Sequence, residues 1–126
     1  MGQALVRLGL AAVLALTATT AFTQGAPVRG AAVFETECGS CHQLHKATPA
    51  GPPLAGVFGR QAGTAPDFRY SPALRRSGIV WDDESLHDFL ADPSMVAPGT
   101  TMTMAVSDPQ ERDDLVAYLK SLSPSQ

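Results

Sequence analysis

The chain has 126 residues, a net charge of −3 and only two cysteines. Its length allows one domain at most. From Gly25 onward it carries eight lysine and arginine residues against twelve aspartate and glutamate residues, a net charge of −4. This acidity argues against nucleic acid or an anionic membrane as a lasting partner, because both attract a cationic face.

Residues 1–24 have the pattern of a secretory signal peptide. One early cation, Arg7, precedes an apolar run over residues 8–16, and small and polar residues follow. A membrane-spanning helix needs about 20 apolar residues, so a retained anchor is the less favoured alternative. We expect cleavage between residues 21 and 26, an exported, periplasmic protein, and one domain over residues 25–126.

The first helix of that domain is predicted over residues 27–38, where Gly30, Phe34 and Cys38 recur every four residues. Residues 43–70 are rich in glycine, proline and alanine, which predicts either a long ordered loop or disorder. A loop of this length is unusual in a small domain. We therefore expect it to wrap something other than protein.

Three more helices are predicted in the second half of the chain. Ser71 is the expected N-cap of a short helix that begins at Pro72 and is stopped by Gly78. The next helix is predicted over residues 82–91, with a break at Asp92-Pro93 and an apolar face made of Leu86, Phe89 and Leu90.

The last helix has the clearest signals. Asp108 is predicted as its N-cap, Pro109 as its first residue and Glu111 as the partner in a capping box. Ser123-Pro124 is expected to end it. Its apolar stripe is Leu115, Val116, Leu119 and Leu122.

Both cysteines lie in the stretch CGSCH at residues 38–42, which has the attachment spacing of c-type haem. In that chemistry Cys38 and Cys41 form thioethers with the haem vinyl groups, and His42 binds the iron from one side. A redox disulfide would require a βαβ context, and a structural zinc would require two more ligands from a chain that offers only His45 and His87. The motif therefore favours one covalent haem c.

The second iron ligand must come from the remaining methionines and histidines, which are Met95, Met102, Met104, His45 and His87. Met102 is favoured, because the Pro-Gly loop PGTTM can hold a methionine rigidly. Met95 lies beside a helix break and is expected in the core. His45 is only three residues from His42 and cannot reach the opposite side, and His87 is expected on the surface.

An ordered set of segments surrounds these residues. It comprises GxxxF at 30–34, GPPL at 51–54, GVFGRQAG at 56–63, APDFRYSPAL at 65–74, SGIVW at 77–81, FLADP at 89–93, PGTTM at 98–102 and ERDDLVAYLKS at 111–121. Over about residues 30–120 the chain thus resembles the class I c-type cytochromes, the soluble mitochondrial type and its bacterial periplasmic relatives. The resemblance implies an all-α cytochrome c fold with short helices and long loops wrapped around one haem.

The resemblance also implies roles for individual residues. Met102 would be the second iron ligand, and the Pro52 carbonyl would accept a hydrogen bond from the His42 ring nitrogen that does not bind iron. Gly30 and Phe34 would pack against the last helix near Leu115 and Tyr118. The haem propionates would receive hydrogen bonds from Arg60, Tyr70 and Trp81.

Three departures from the family pattern affect the site. Phe89 stands where relatives carry a tyrosine near the methionine sulfur. The segment after Met102 is one residue shorter than usual, which makes Met104 a rival ligand. Thr101 replaces a lysine, and most of the lysines around the haem edge are missing, so the family's partner surface cannot be carried over.

The sequence-based hypothesis is a monomeric periplasmic electron carrier and not an enzyme. It would shuttle single electrons between respiratory-chain partners by outer-sphere transfer through the haem edge. Those partners could be a membrane cytochrome complex, an oxidase, a reaction centre or a periplasmic dehydrogenase, with only transient membrane contact. Two alternatives are a haem subunit bound permanently to a dehydrogenase or oxidase, and a haem enzyme or gas sensor whose methionine is displaceable.

Overall fold

The structure, a computed structural model, describes residues 25–124, so the predicted signal peptide and its cleavage site lie outside the described residues. Within this part the chain forms α1 (Pro27–Val33), a π-helical turn (Phe34–Cys38), α2 (Pro72–Arg76), α3 (Asp83–Ala91), α4 (Pro93–Val96) and α5 (Pro109–Ser121). The extended backbone of residues 25–124 pairs at one isolated bridge, between Gln61 and Val80. The predicted all-α class is confirmed. No helix among these residues has both the length and the apolar character needed to cross a membrane.

Helices α1 and α5 cross at Gly30, as predicted. A Cβ atom at Gly30 would collide with the Asp114 carbonyl and would lie 2.7 Å from the Tyr118 Cβ, so only glycine permits this approach. One turn further along, Phe34 packs on the Tyr118 ring with 5.9 Å between centroids. The crossing joins the two ends of the described chain.

The predicted first helix does not keep one geometry to Cys38, because its last turn widens. The Gly39 amide donates to the Phe34 carbonyl five residues earlier, at 2.9 Å. The Thr36 hydroxyl bonds back to the carbonyls of Ala32 and Val33, a contact that bends helices. The π-helical turn ends on Cys38, which is 8% exposed.

The long segment 43–70 is ordered by backbone hydrogen bonds between successive turns. Its first part folds back on the attachment motif, with the amides of Leu54 and Ala55 donating to the carbonyls of Gln43 and Leu44 at 3.1 and 2.8 Å. Its later part forms backbone hydrogen bonds with residues 79–81. These bonds settle the choice between an ordered loop and disorder in favour of the loop.

The predicted cap of α2 is confirmed, since the Ser71 side chain accepts a hydrogen bond from the Leu74 amide. At α5, Asp108 accepts from the Glu111 amide at 3.0 Å, but a full capping box is found instead at α3, between Asp82 and Ser85. The sequence pattern therefore placed the box on the wrong helix.

Helix α4 was not predicted. The prediction that Met95 lies in the core is wrong, because this helix turns its side chain to the surface. Asp92 directly follows α3, and its side chain caps a new turn by accepting hydrogen bonds from the amides of Ser94 and Met95, both at 3.1 Å. This four-residue helix buries Pro93 and turns Met95 outward, where it is 77% exposed.

A buried carboxylate fastens the start of the domain to α5. Asp114 is 3% exposed, and its two oxygens accept a bidentate pair of hydrogen bonds from Arg29, with N···O distances of 2.7 and 3.0 Å. The Ala26 amide donates at 2.7 Å and the Gln110 side chain at 3.1 Å. The Arg29 guanidinium, aided by these other donors, lowers the pKa of Asp114 from 3.8 to about 2.

We expect Asp114→Asn to reduce the free energy of unfolding at pH 7 by roughly 2 kcal/mol, because the charged bidentate pair is lost. The folded-state pKa lies below the ordinary 3.8, so the stabilisation is complete above about pH 4 and is lost as pH falls through about 2. Denaturant titrations between pH 7 and pH 2 measure this difference. Asp113→Asn, at a neighbouring side chain that is 48% exposed, is the control. Equal acid sensitivity of the Asp114 variant and the unchanged protein would contradict the assignment.

Candidate functional site

A cavity of about 260 Å³ lies where the helices and the long loop converge. Aliphatic and aromatic side chains make most of its wall, including Leu54, Val57, Leu86, Phe89 and Leu115. These residues come from the loop, from α3 and from α5. The cavity therefore lies within the hydrophobic core, whose buried side chains form much of its wall.

The attachment motif contributes Cys38, Cys41 and His42 to one cavity, as predicted from the spacing. The Cys38 thiol is buried, and burial raises its pKa to about 11, so the sulfur is uncharged at neutral pH before any bond forms. Cys41 is exposed at the rim. The two thiols thus stand at different depths in the same wall.

The ring of His42 is held by a backbone carbonyl. Its Nδ1 lies 2.9 Å from the Pro52 carbonyl oxygen. Because a carbonyl only accepts, Nδ1 carries the proton, and the lone pair is left on Nε2. This is the tautomer that can bind a metal ion through Nε2, with a carbonyl fixing the plane of the ring.

Gly51 makes this contact possible, and the sequence reasoning did not single it out. A Cβ at Gly51 would lie 2.6 Å from both Cε1 and Nδ1 of His42 and 2.9 Å from the Cys41 carbonyl. Such distances are below van der Waals contact, so a side chain here would push the imidazole away. The GPPL segment was the available signal, since its glycine directly precedes the proline that holds the ring.

Met102 and Met104 both line the cavity, but their surroundings differ. Met102 is partly buried and packs against the hydrophobic core, and its amide donates to the Thr100 hydroxyl at 3.4 Å. Met104 is 45% exposed. Phe89, which replaces the expected tyrosine, lines the same cavity and packs on Trp81 with 5.0 Å between ring centroids.

Arg60, Tyr70 and Trp81 come together in the lining, as the resemblance implied. Arg60 uses one guanidinium nitrogen to donate to the Pro53 carbonyl at 3.1 Å, and its other N–H groups are available to an acceptor. The Tyr70 hydroxyl accepts from the Ala65 amide at 3.3 Å, so its own proton remains to donate. These three side chains give the apolar cavity a set of donors suited to carboxylates.

The other candidate ligands lie elsewhere in the described structure. His45 is exposed and does not line the cavity. His87 lies between α3 and α5, where its Nε2 accepts from Arg112 at 3.4 Å and is 3.5 Å from an Asp113 oxygen. It is only partly exposed, and its role is to join the two helices.

The donor set fits a flat, largely apolar group that carries a metal ion and peripheral carboxylates. Two thiols, an oriented imidazole and two thioethers share one apolar cavity with three side chains that can donate hydrogen bonds to carboxylates. A family model described as cytochrome c matches residues 27–123. The chain belongs to the cytochrome c family.

Individual relatives agree with this assignment. The chain is 43% identical to the cytochrome c of Sesamum indicum over 94 residues, which cover 72% of this chain and 85% of the relative. It is 44% identical to that of Euglena viridis over 96 residues, which cover 75% and 94% of the two chains. Among solved structures, cytochrome cH from Methylobacterium extorquens matches with a TM-score of 0.73 and 41% identity, covering 77% of this chain and 99% of that one.

This cytochrome therefore carries one haem c, attached covalently through Cys38 and Cys41. Like the family, it is a single-haem electron carrier. The cavity between the loop and α3 and α5 is where the attachment residues place the cofactor.

We expect Gly51→Ala to disturb the haem-loaded protein through His42. The added methyl group must displace either the imidazole or the loop, at a cost typical of overpacking, about 1–3 kcal/mol of unfolding free energy. The ferric spectrum should gain a high-spin component as the ring is displaced. Denaturant unfolding and the ferric spectrum together measure the change. Gln43→Ala, which trims an exposed side chain beside His42, serves as the control, and equal behaviour of the two variants would refute the role of Gly51.

Proposed function

We propose that the protein is a periplasmic electron carrier whose iron is bound by His42 and Met102. The haem supplies a one-electron couple between ferrous and ferric iron. With two side-chain ligands in place, no coordination position is left for a substrate or for oxygen. This favours outer-sphere transfer through the haem edge over catalysis or gas binding.

The observation that carries this proposal is the hydrogen bond between His42 and Pro52 at 2.9 Å. It fixes the tautomer, keeps the imidazole plane in one orientation and raises the basicity of Nε2. A ligand that keeps its geometry in both oxidation states keeps the reorganisation energy small, which is the protein's contribution to fast transfer.

For the second ligand, burial supports Met102 over Met104. The Met102 backbone is tied to Thr100, a residue only 9% exposed, whereas Met104 is 45% exposed and lies at the rim. A thioether in an apolar cavity favours ferrous iron and raises the reduction potential.

The opposite edge of the site is proposed to hold the propionates. Arg60, Tyr70 and Trp81 supply charged and neutral donors, so two carboxylates can lie partly buried without being left unpaired. The proposed periplasmic location is supported by the signal-peptide pattern of residues 1–24.

We expect Met102→Ala to abolish the sulfur-to-iron charge-transfer band of the ferric protein and to lower the reduction potential, because the thioether is lost. Met104→Ala should keep the band. Absorption spectra and voltammetry of the two loaded variants measure this difference. The reverse pattern would move the ligand to Met104, and rapid binding of carbon monoxide by the unchanged ferrous protein would favour a gas-binding function.

The rim of the cavity supports a proposal about how a partner is recognised. Its exposed lining residues carry no charge, and they are Cys41, Ala50, Thr101, Thr103 and Met104. The charged lining residues, Glu37 and Arg60, are half-buried. We propose docking by apolar contact with a redox protein such as a membrane cytochrome complex, an oxidase, a reaction centre or a periplasmic dehydrogenase.

We therefore expect electron exchange with the isolated partner to be weakly dependent on salt. Charge-steered association runs about 10 to 10³-fold faster than unsteered association and falls steeply with ionic strength. Here the second-order rate should fall less than about tenfold between low salt and about 0.5 M. Thr101→Lys, which adds one cation to the rim, should introduce a salt dependence if the partner is charged. A larger fall for the unchanged protein would show that a charged patch governs docking.

A further inference from the structure

We propose that Thr48 is a positioning residue for His42, an inference that rests on the proposed ligation of iron by that histidine. Thr48 does not line the cavity. It acts through the two segments that meet at the imidazole, the attachment motif on one side and the GPPL segment on the other.

One hydroxyl joins these two segments. The Thr48 Oγ1 donates to the Cys41 carbonyl at 2.6 Å. The same oxygen accepts from the Ala50 amide at 3.2 Å and from the Gly51 amide at 3.0 Å. The Thr48 amide in turn donates to the Gly51 carbonyl at 2.9 Å, closing a compact turn.

The positions of these contacts along the chain explain what the hydroxyl does. Cys41 directly precedes His42, and Gly51 directly precedes Pro52. The two partners of the hydrogen bond between the imidazole and the Pro52 carbonyl are therefore each held one residue away by the same oxygen atom. Thr48 fixes the separation of donor and acceptor without touching either.

Holding this separation matters because Gly51 is packed against the ring. The turn must stay close enough for the 2.9 Å bond between His42 and Pro52, yet the backbone of Gly51 already fills the space beside the imidazole. Without the hydroxyl, the turn loses its direct hydrogen-bonded link from Gly51 to Cys41 and can move outward. A longer bond to Pro52 would make Nε2 less basic and favour ferrous iron.

The loop does not depend on Thr48 for its overall path. Leu54 and Ala55 remain tied by their amides to Gln43 and Leu44 whatever the side chain at position 48 is. Thr48→Val, which keeps the shape and removes the hydroxyl, should therefore fold and load haem.

The test compares haem-loaded Thr48→Val with Thr48→Ser, which keeps the hydroxyl. The matched control is Thr64→Val, because the Thr64 hydroxyl also donates to a carbonyl at 2.6 Å, that of Gln61, but does not touch the His42 turn. We measure the exchange rate of the His42 Nδ1 proton by NMR and the reduction potential by voltammetry. A purely structural role would lower the unfolding temperature without moving either quantity.

In Thr48→Val the bond from Nδ1 to the Pro52 carbonyl should lengthen and open more readily, so that the proton exchanges roughly tenfold faster and the reduction potential rises. Thr48→Ser and Thr64→Val should match the unchanged protein in both. Unchanged exchange and potential in Thr48→Val, or the same shifts in Thr64→Val, would overturn the inference.

Amide exchange in the unchanged, haem-loaded protein tests the same inference without any variant. Ala50 is exposed and lies outside any helix, so slow exchange of its amide is expected only if the Thr48 hydroxyl accepts from it. Exchange of the Ala50 and Gly51 amides at the rate of a free peptide would overturn the inference. If the unchanged protein shows no signals of an iron-bound imidazole, the proposed ligation fails instead, and that outcome is distinct from a failure at Thr48.

Discussion

The fold depends on a constraint that is unusual for so small a domain, namely that many of its apolar side chains line one shared cavity as well as packing on one another. Leu86 and Phe89 from α3, Leu115 from α5 and Leu54 from the loop all face the same space. Protein interiors are normally packed without large voids. A covalent haem in this cavity would complete the hydrophobic core, and the long loop, ordered by its own backbone hydrogen bonds, forms part of the wall around it.

Buried and half-buried charged groups are found in two regions, the crossing of α1 and α5 and the cavity, and they have different roles there. Asp114 is buried where α1 meets α5, with Arg29 and two neutral donors satisfying both of its oxygens, so it joins the ends of the domain. At the cavity, Arg60 keeps part of its donor capacity free. Charge is thus neutralised within the protein at the helix crossing, whereas at the cavity the Arg60 charge can serve the proposed propionate contacts.

The sequence predicted the fold class, the covalent haem and most helices, because attachment spacing, caps and apolar stripes are local patterns. It misplaced Met95 and missed α4, since one aspartate both ended a helix and capped the next. It also missed Asp114, Gly51 and Thr48. Asp114 acts on partners far along the chain, Gly51 acts through the absence of a side chain, and Thr48 acts through a local turn that no sequence pattern marks. The ligand and propionate roles remain proposals that the geometry supports.

The crossing of α1 and α5 has a consequence for how the protein is made. The thiols lie on the π-helical turn and just after it, near the beginning of the domain, whereas Leu115 and Leu119, which complete the cavity, lie on its last helix. The wall opposite both cysteines is therefore complete only once α5 has packed on α1. Before that crossing forms, the cavity is open on the α5 side, and the two thiols are accessible there for haem attachment.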